Sequence, residues 1–219
     1  MKKLFFLIYF LLLLIACISQ KPERRDIKFI GEAAAKAKKA NRLLVVEFPG
    51  SDTIIVQRLN KDIFENYSCA AFIQKNFEFI KVKASDPAYI PLVKHLNISN
   101  ENSVIFFDQN GNEIDRTVSY DGNKEAYLEY IKDISTGKNL YGMVLSAYEK
   151  GPSDAGNCYL MAEKLRFRNR TAEAIDLYRK VLTLDTLNKY RLFDDCKSKI
   201  AKVSGKEGVP SEFSSRGSY

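Results

Sequence analysis

The chain has 219 residues, 46% of them hydrophobic and 28% charged, which is the ordinary composition of a globular protein with room for one solid core and an appendage. Its net charge of +7 is spread along the sequence without a block of like charges or a basic-aromatic cluster, and this argues against nucleic-acid binding. The single histidine, His95, excludes most histidine-dependent catalytic sets and any histidine-rich metal site.

The N-terminus has the pattern of an export signal. Two lysines precede an apolar run at residues 4–15, which is short for a membrane span. The run ends in Leu-Ile-Ala-Cys at residues 14–17, which resembles a bacterial lipobox. The resemblance implies a signal peptide at residues 1–16 and a lipid on Cys17, and hence a membrane-anchored protein of the bacterial cell envelope that faces the periplasm or the cell exterior. The next residue, Ile18, is not the aspartate that retains some lipoproteins at the inner membrane, which favours the outer membrane. The alternative is an uncleaved anchor.

The first folded elements follow a short polar tether at residues 17–27. An alanine-rich helix is expected at residues 26–41, because its lysines lie toward the C-terminal end, where the helix dipole favours them. Residues 43–48 form an apolar, β-branched run typical of a buried strand. Pro-Gly-Ser-Asp at residues 49–52 stops this strand and turns the chain into a helix at residues 54–60.

The next segment alternates helices and strands. The patterns predict helices at residues 67–75, 89–96 and 123–134, and strands at residues 77–82, 103–108 and 113–119. Asn110-Gly111 lies between the last two strands and predicts a type I′ hairpin, in which both central residues need positive φ.

This arrangement resembles the thioredoxin-like proteins, in which a strand is followed by Phe-Thr-Gly-Ser-Trp-Cys-x-x-Cys-Lys and later by Glu-Val-Phe. When Phe48, Gly50 and Ser51 are set on that motif, Phe64 falls in register without a gap. The resemblance implies an α/β class and a thioredoxin-like α/β/α sandwich over residues 28–136.

The same resemblance places the redox machinery on residues that cannot perform it. The two redox cysteines fall on Thr53 and Val56, and the tryptophan falls on Asp52. The cis-proline of the family falls on Asn102. Thr53 stands where a thioredoxin has its first cysteine, and we expect its hydroxyl to act as the N-cap of the following helix.

The C-terminal third is helical in composition after a linker at residues 135–139. Helices are expected at residues 141–150, 157–168, 171–184 and 190–203. Small and large residues alternate in the second and third of these helices as in a tetratricopeptide-like hairpin, at Ala162, Leu165, Ala174, Tyr178 and Leu182. The region 140–203 is therefore either a TPR-like appendage or a plain helical hairpin that covers the sandwich. The Gly/Ser-rich segment 204–219 is expected to be a disordered tail.

The remaining cysteines form no CxxC pair. Cys69 and Cys158 lie among apolar residues, where a cysteine usually serves as a small buried hydrophobe. Cys158 and Cys196 have an alternative role as a structural disulfide outside the cytoplasm. The acidic pair Asp194-Asp195 is isolated on a helix, and no metal site or cofactor is expected.

The function most consistent with these residues is a redox-inactive envelope lipoprotein that binds a protein or peptide. Its binding face would be the degenerate active-site loop, which comprises Asp52, Thr53, Val56 and Asn102. The first alternative is a residual thiol-disulfide oxidoreductase that works through one cysteine, Cys69. The second is a structural protein of envelope assembly that works through its helical region. The expected partners are the membrane, through the lipid on Cys17, and a protein or peptide, with no nucleic acid.

Overall fold

The computed structural model describes residues 25–99 and 101–203. The expected signal peptide, Cys17 and the expected tail at 204–219 lie outside these ranges. The helices are α1 (Arg25–Lys39), α2 (Thr53–Leu59), α3 (Tyr67–Asn76), α4 (Ile90–His95), α5 (Lys124–Ser135), α6 (Tyr141–Lys150), α7 (Ala155–Arg166), α8 (Thr171–Leu184) and α9 (Phe193–Val203). The strands are β1 (Leu43–Phe48), β2 (Phe77–Lys81), β3 (Ser103–Phe107) and β4 (Glu113–Val118). Within these ranges, no helix is both long and apolar enough to cross a bilayer.

The fold is mixed α/β, as expected. Its four strands form one sheet in the order β2-β1-β3-β4, with β1 parallel to β2 and antiparallel to β3, and β4 antiparallel to β3. The central strands β1 and β3 are buried along almost their whole length, because helices cover both faces of the sheet. This explains why both strands are almost continuously apolar.

The two faces of the sheet carry separate cores. On one face, α1 and α4 pack against Val46, Ile105 and Phe107, and the alanines of α1 allow its backbone to approach the sheet closely. On the other face, α3, α5 and the π-helical turn Asn60–Phe64 that continues α2 pack against Val45 and Phe106. The side chains of β1 therefore alternate between the two cores, as a strand's period of two requires.

The hairpin between β3 and β4 differs from the expected type I′ turn. Among the hairpin residues only Gly111 has positive φ, at +83°, and Asn110 does not. The strands end at Phe107 and resume at Glu113, so the connection is longer than the two residues that a type I′ turn links. The Asp108 carboxylate organises this loop by accepting hydrogen bonds from the N–H groups of Asn110 (2.8 Å) and Asn112 (2.9 Å).

The helices α6 to α9 have their own core and pack against the β4 side of the sheet. Ala162, Ala174 and Tyr178 are buried where α7 meets α8. Lys164 on α7 forms an ion pair with the fully buried Asp115 of β4. Arg168, just after α7, lies 2.9 Å from a carboxylate oxygen of Glu113, also on β4. Charged side chains thus fix the helical part against the edge of the sheet.

Candidate functional site

The loop after β1 begins α2, but its cap is Asp52 and not Thr53. The Asp52 carboxylate accepts hydrogen bonds from the N–H groups of Ile54 (3.0 Å) and Ile55 (3.1 Å). Thr53 is the first residue of the helix and is exposed, so the expectation that it is the N-cap was wrong. A carboxylate satisfies the free N–H groups and also places a negative charge at the positive end of the helix. Val56 lies one turn further along and is half-buried.

Asn102 lies at the same end of the sheet as this loop. Because Phe48 pairs with Ser103, the antiparallel register places Asn102 opposite Pro49. Asn102 is only 4% exposed, and neither polar atom of its side-chain amide has a hydrogen-bond partner among the described residues. The described residues contain no cis peptide bond. The residues named from the sequence therefore share one end of the sheet, and one of them carries an unsatisfied buried amide.

Glu47 is a buried charged residue at this end that the sequence analysis did not single out. It is fully buried, on the face of the sheet shared by Val104 and Asn102. Lys81 Nζ lies 3.1 Å from its Oε2, but neither carboxylate oxygen receives a hydrogen bond of good geometry among the described residues. Burial raises the pKa of Glu47, and the nearby Lys81 opposes this rise only in part. The signal was present in the sequence as the one charge within an otherwise apolar strand.

Two tyrosines complete this polar region. Tyr127 is buried, its hydroxyl has no hydrogen-bond partner among the described residues, and burial together with the charge of Glu47 raises its pKa. Tyr120 packs edge-on against Tyr127, with ring centroids 5.3 Å apart, and donates a hydrogen bond to Asp62 Oδ2 at 3.0 Å. We call Glu47, Asn102 and Tyr127 the buried polar cluster. It can hold a proton on Glu47, whose ionisation is opposed by burial.

The thiols of the described residues are placed away from solvent. Cys69 is the third residue of α3, and it is buried, as expected of a small apolar side chain. Cys158 and Cys196 are buried in the helical core, and both are free thiols. Burial raises the pKa of Cys158, and raises that of Cys196 to about 11. Cys158 and Cys196 are therefore thiols at neutral pH, and all three cysteines lack the exposure that a reactive cysteine needs.

A groove of about 780 Å³ runs between the sheet and the helical part. The sheet side is formed by the end of β4 and by Tyr120, Tyr127 and Tyr130. The helical side includes Arg166, Lys199 and Lys202. The groove opens at the end of the sheet that also carries the loop after β1, because β4 runs parallel to β1 and its C-terminal residues line the groove.

The acidic groups on the helical side of the groove are already occupied. Glu163 lies 2.7 Å from Lys199 and 3.1 Å from Arg166, and it also accepts a hydrogen bond from Tyr178. Burial opposes the ionisation of Glu163, but Arg166 and Lys199 overcome this effect and hold its pKa below the usual value. Asp195 accepts hydrogen bonds from Tyr159 (2.6 Å) and Lys199. This wall therefore has little acceptor capacity left.

A smaller cavity of about 430 Å³ lies between α1, α4 and the hairpin. Its cationic group, Arg116, is held by Glu113 at 2.9 Å and by the Leu96 carbonyl oxygen at 2.7 Å. His95 lines the same cavity at the end of α4 and is exposed. Among the described residues, no three His, Cys, Asp or Glu side chains are grouped to hold a metal ion.

The chain matches no protein-family model and no curated protein. Its function is therefore inferred from the residues and the geometry of these sites alone.

Proposed function

We propose that this chain is a redox-inactive, thioredoxin-like lipoprotein of the bacterial envelope that binds a protein or peptide through the surface at the end of β1. The strand order β2-β1-β3-β4, with one parallel and two antiparallel pairings, supports the thioredoxin-like assignment. The burial of Ala162 and Ala174 between α7 and α8 supports a TPR-like appendage. The lipobox at residues 14–17 supports the envelope location.

The burial of the thiols supports a role without redox chemistry. A disulfide exchange enzyme needs an accessible thiolate. A cysteine would be activated at the first position of α2, but Thr53 occupies that position, directly after the Asp52 cap. The nearest cysteine along the chain, Cys69, is buried. The residual oxidoreductase acting through Cys69 is therefore the weaker proposal.

The observation that carries the binding proposal is the exposure of Ile54. This side chain is 69% exposed on the first turn of α2, directly beside the capped loop. A large apolar side chain in this position lowers the free energy of a complex when a partner covers it, by about 25 cal/mol per Å² of apolar surface. The surface comprising Asp52, Thr53 and Ile54 is thus suited to contact rather than to chemistry.

Site-specific photocrosslinking tests this proposal. A benzophenone amino acid is placed at position 54 of the full-length chain in intact bacteria, and adducts are identified by mass spectrometry. Leu187 is the matched control, because it is 90% exposed but lies after α8 in the helical part. We expect a discrete protein adduct at position 54 and none of the same mass at position 187. Equal adduct patterns at both positions would contradict the proposed face.

The lipid anchor has its own test. Mass spectrometry of the mature protein should give a chain that begins at Cys17 with an acyl-glyceryl addition, and Cys17→Ser should block processing or release the protein from the membrane. Mature protein with an intact Met1 would remove the envelope assignment but not the binding face.

A further inference from the structure

The free edge of β4 faces the groove with one unsatisfied pair of backbone groups. Ser119 donates its N–H to the Asn102 carbonyl at 2.7 Å, so Ser119 faces β3. In an antiparallel ladder, neighbouring residues face opposite edges, and Val118 therefore directs its N–H and carbonyl away from β3. Among the described residues, no hydrogen bond to these two groups is formed, and Val118 lines the groove.

Two residues earlier, the outward backbone groups of the same edge already have hydrogen-bond partners. Arg116 also faces outward, but its N–H donates to Asp115 Oδ1 at 2.8 Å and its carbonyl accepts a hydrogen bond from the Tyr130 hydroxyl at 2.9 Å. The edge is thus protected at Arg116 and open at Val118, where the groove begins. An open strand edge is a site at which another extended chain can add as a strand.

The helical wall of the groove has a cationic side chain for which a ligand could supply an acceptor. Lys202 is exposed and forms no ion pair with any described residue, whereas Arg166 is paired with Glu163 at 3.1 Å and its Nε has no surface open to the groove. Glu163 and Asp195 are already paired on that wall, whereas Glu101 and Asp121 lie exposed on the sheet side. Among the described residues, the uncommitted charge of the helical wall is therefore the Lys202 ammonium, which favours an acidic side chain.

We propose that the groove binds an extended peptide segment with an acidic residue, which adds to the edge of β4 at Val118 and directs its acidic side chain toward Lys202. The aromatic wall of Tyr120, Tyr127 and Tyr130 provides the apolar contact. This inference rests on the proposed function, because it specifies the class of partner and a second contact surface at the same end of the sheet. The volume of about 780 Å³ lies within the range of ligand sites in proteins.

The test begins with a display library of random linear dodecapeptides selected on the full-length chain in detergent. Enriched peptides are synthesised with a fluorophore, and their affinities are measured by anisotropy for the wild type and four variants. Val118→Pro removes the outward N–H without removing a bond of the β3–β4 ladder, and proline is tolerated at an edge of this kind. Val118→Thr is its matched control, because it retains the N–H.

Two further variants keep the test decisive. Thr171→Trp fills the groove from the exposed start of α8. It therefore still tests peptide binding in the groove if Val118→Pro fails to fold. Ile54→Asp changes only the proposed face at the end of β1. We expect Val118→Pro and Thr171→Trp to weaken binding about fivefold or more, and Val118→Thr to stay within about twofold. Hydrogen exchange should also show protection of the Val118 amide when the peptide binds.

The outcomes separate the two proposals. If Ile54→Asp abolishes binding while Val118→Pro and Thr171→Trp bind as the wild type does, the groove inference is overturned and the proposed function stands. If enriched peptides lack acidic residues, or if no peptide is enriched, the groove inference is also overturned. The proposed function then depends on the crosslinking at position 54.

Discussion

Removal of one partner of the buried ion pair between Lys164 and Asp115 should be strongly destabilising. Asp115 is fully buried, and its carboxylate is paired with Lys164 across the interface between β4 and α7. Lys164→Met retains most of the length and the apolar stem of the side chain but removes the charged nitrogen, which lies 5.2 Å from the centre of the Tyr130 ring. The carboxylate then keeps one N–H donor, from Arg116 at 2.8 Å, and the more distant Arg168 at 3.6 Å.

The expected loss in the free energy of unfolding is about 3 kcal/mol. A buried ion pair that loses one partner typically costs about 3 to 5 kcal/mol, and Arg168 compensates a part of this here. Burial outweighs the attraction of Asp115 and lowers the pKa of Lys164, so the pair itself contributes little net stability. The double variant Lys164→Met with Asp115→Leu should therefore lose less than Lys164→Met alone.

Urea unfolding of the full-length chain, followed by far-UV circular dichroism, measures both effects. Arg179→Met is the matched control, because Arg179 forms an ion pair with Asp176 in which the two side chains are 62% and 74% exposed. Its expected change is below about 0.5 kcal/mol. If Lys164→Met costs no more than Arg179→Met, the buried pair does not hold the helical part against the sheet.

Three further predictions follow from single contacts. Asp52→Ala should lower the free energy of unfolding by about 1 kcal/mol, because it removes the cap of α2, whereas Thr53→Ala should change it by less than about 0.5 kcal/mol. Equal urea midpoints for the two variants would contradict the assignment of Asp52 as the cap. Gly111→Val should cost about 1 to 3 kcal/mol, because Gly111 has φ of +83°, and an unchanged melting temperature would refute this. The raised pKa of Glu47 means that the folded protein loses stability as pH rises from 4.5 through the folded-state pKa. Glu47→Gln should remove this loss, so that urea midpoints measured between pH 4 and 8 diverge as pH rises; parallel curves would contradict the shift.

The elements were predictable because their signals are local. Apolar runs, helix periodicity and the Pro-Gly-Ser-Asp break at residues 49–52 placed the helices and strands within a few residues of their observed ends. Errors arose where two local signals compete. Both Asp52 and Thr53 are good caps, and the sequence does not reveal which of them precedes the first helical residue. At Asn110-Gly111 the irregular pairing at Phe106 and Phe107 lengthens the loop, and no pattern in the turn itself reports this.

The polar features of the interior were not predictable from local patterns. Asp115 and Arg116 on an edge strand have the pattern of solvent-facing charges that protect the edge. Asp115 is buried because a helix that follows much later in the chain packs against β4, and its ion pair with Lys164 links residues far apart in sequence. The Arg116 side chain faces the α1 and α4 side of the sheet, where Glu113 and the carbonyl oxygen of Leu96 hold it. Glu47 could have been noticed as a charge inside an apolar strand, but its partner, Lys81, follows only from the parallel register of β1 and β2.

The buried polar cluster gives a reason to regard the end of β1 as functional even though the chain has no cysteine there. An unsatisfied buried donor or acceptor costs about 1 to 3 kcal/mol, so the amide of Asn102 and the hydroxyl of Tyr127 together remove a substantial share of a typical folding stability. Glu47 adds a carboxylate whose ionisation is opposed by burial. Costs of this kind concentrate where function constrains the residues, and Glu47 and Asn102 lie at the end of the sheet from which the chain continues into α2 and the exposed Ile54. Because Tyr127 also lines the groove, the same cluster joins the loop surface to the open edge of β4. A partner that covers Ile54 and enters the groove would therefore contact both surfaces at this end of the sheet.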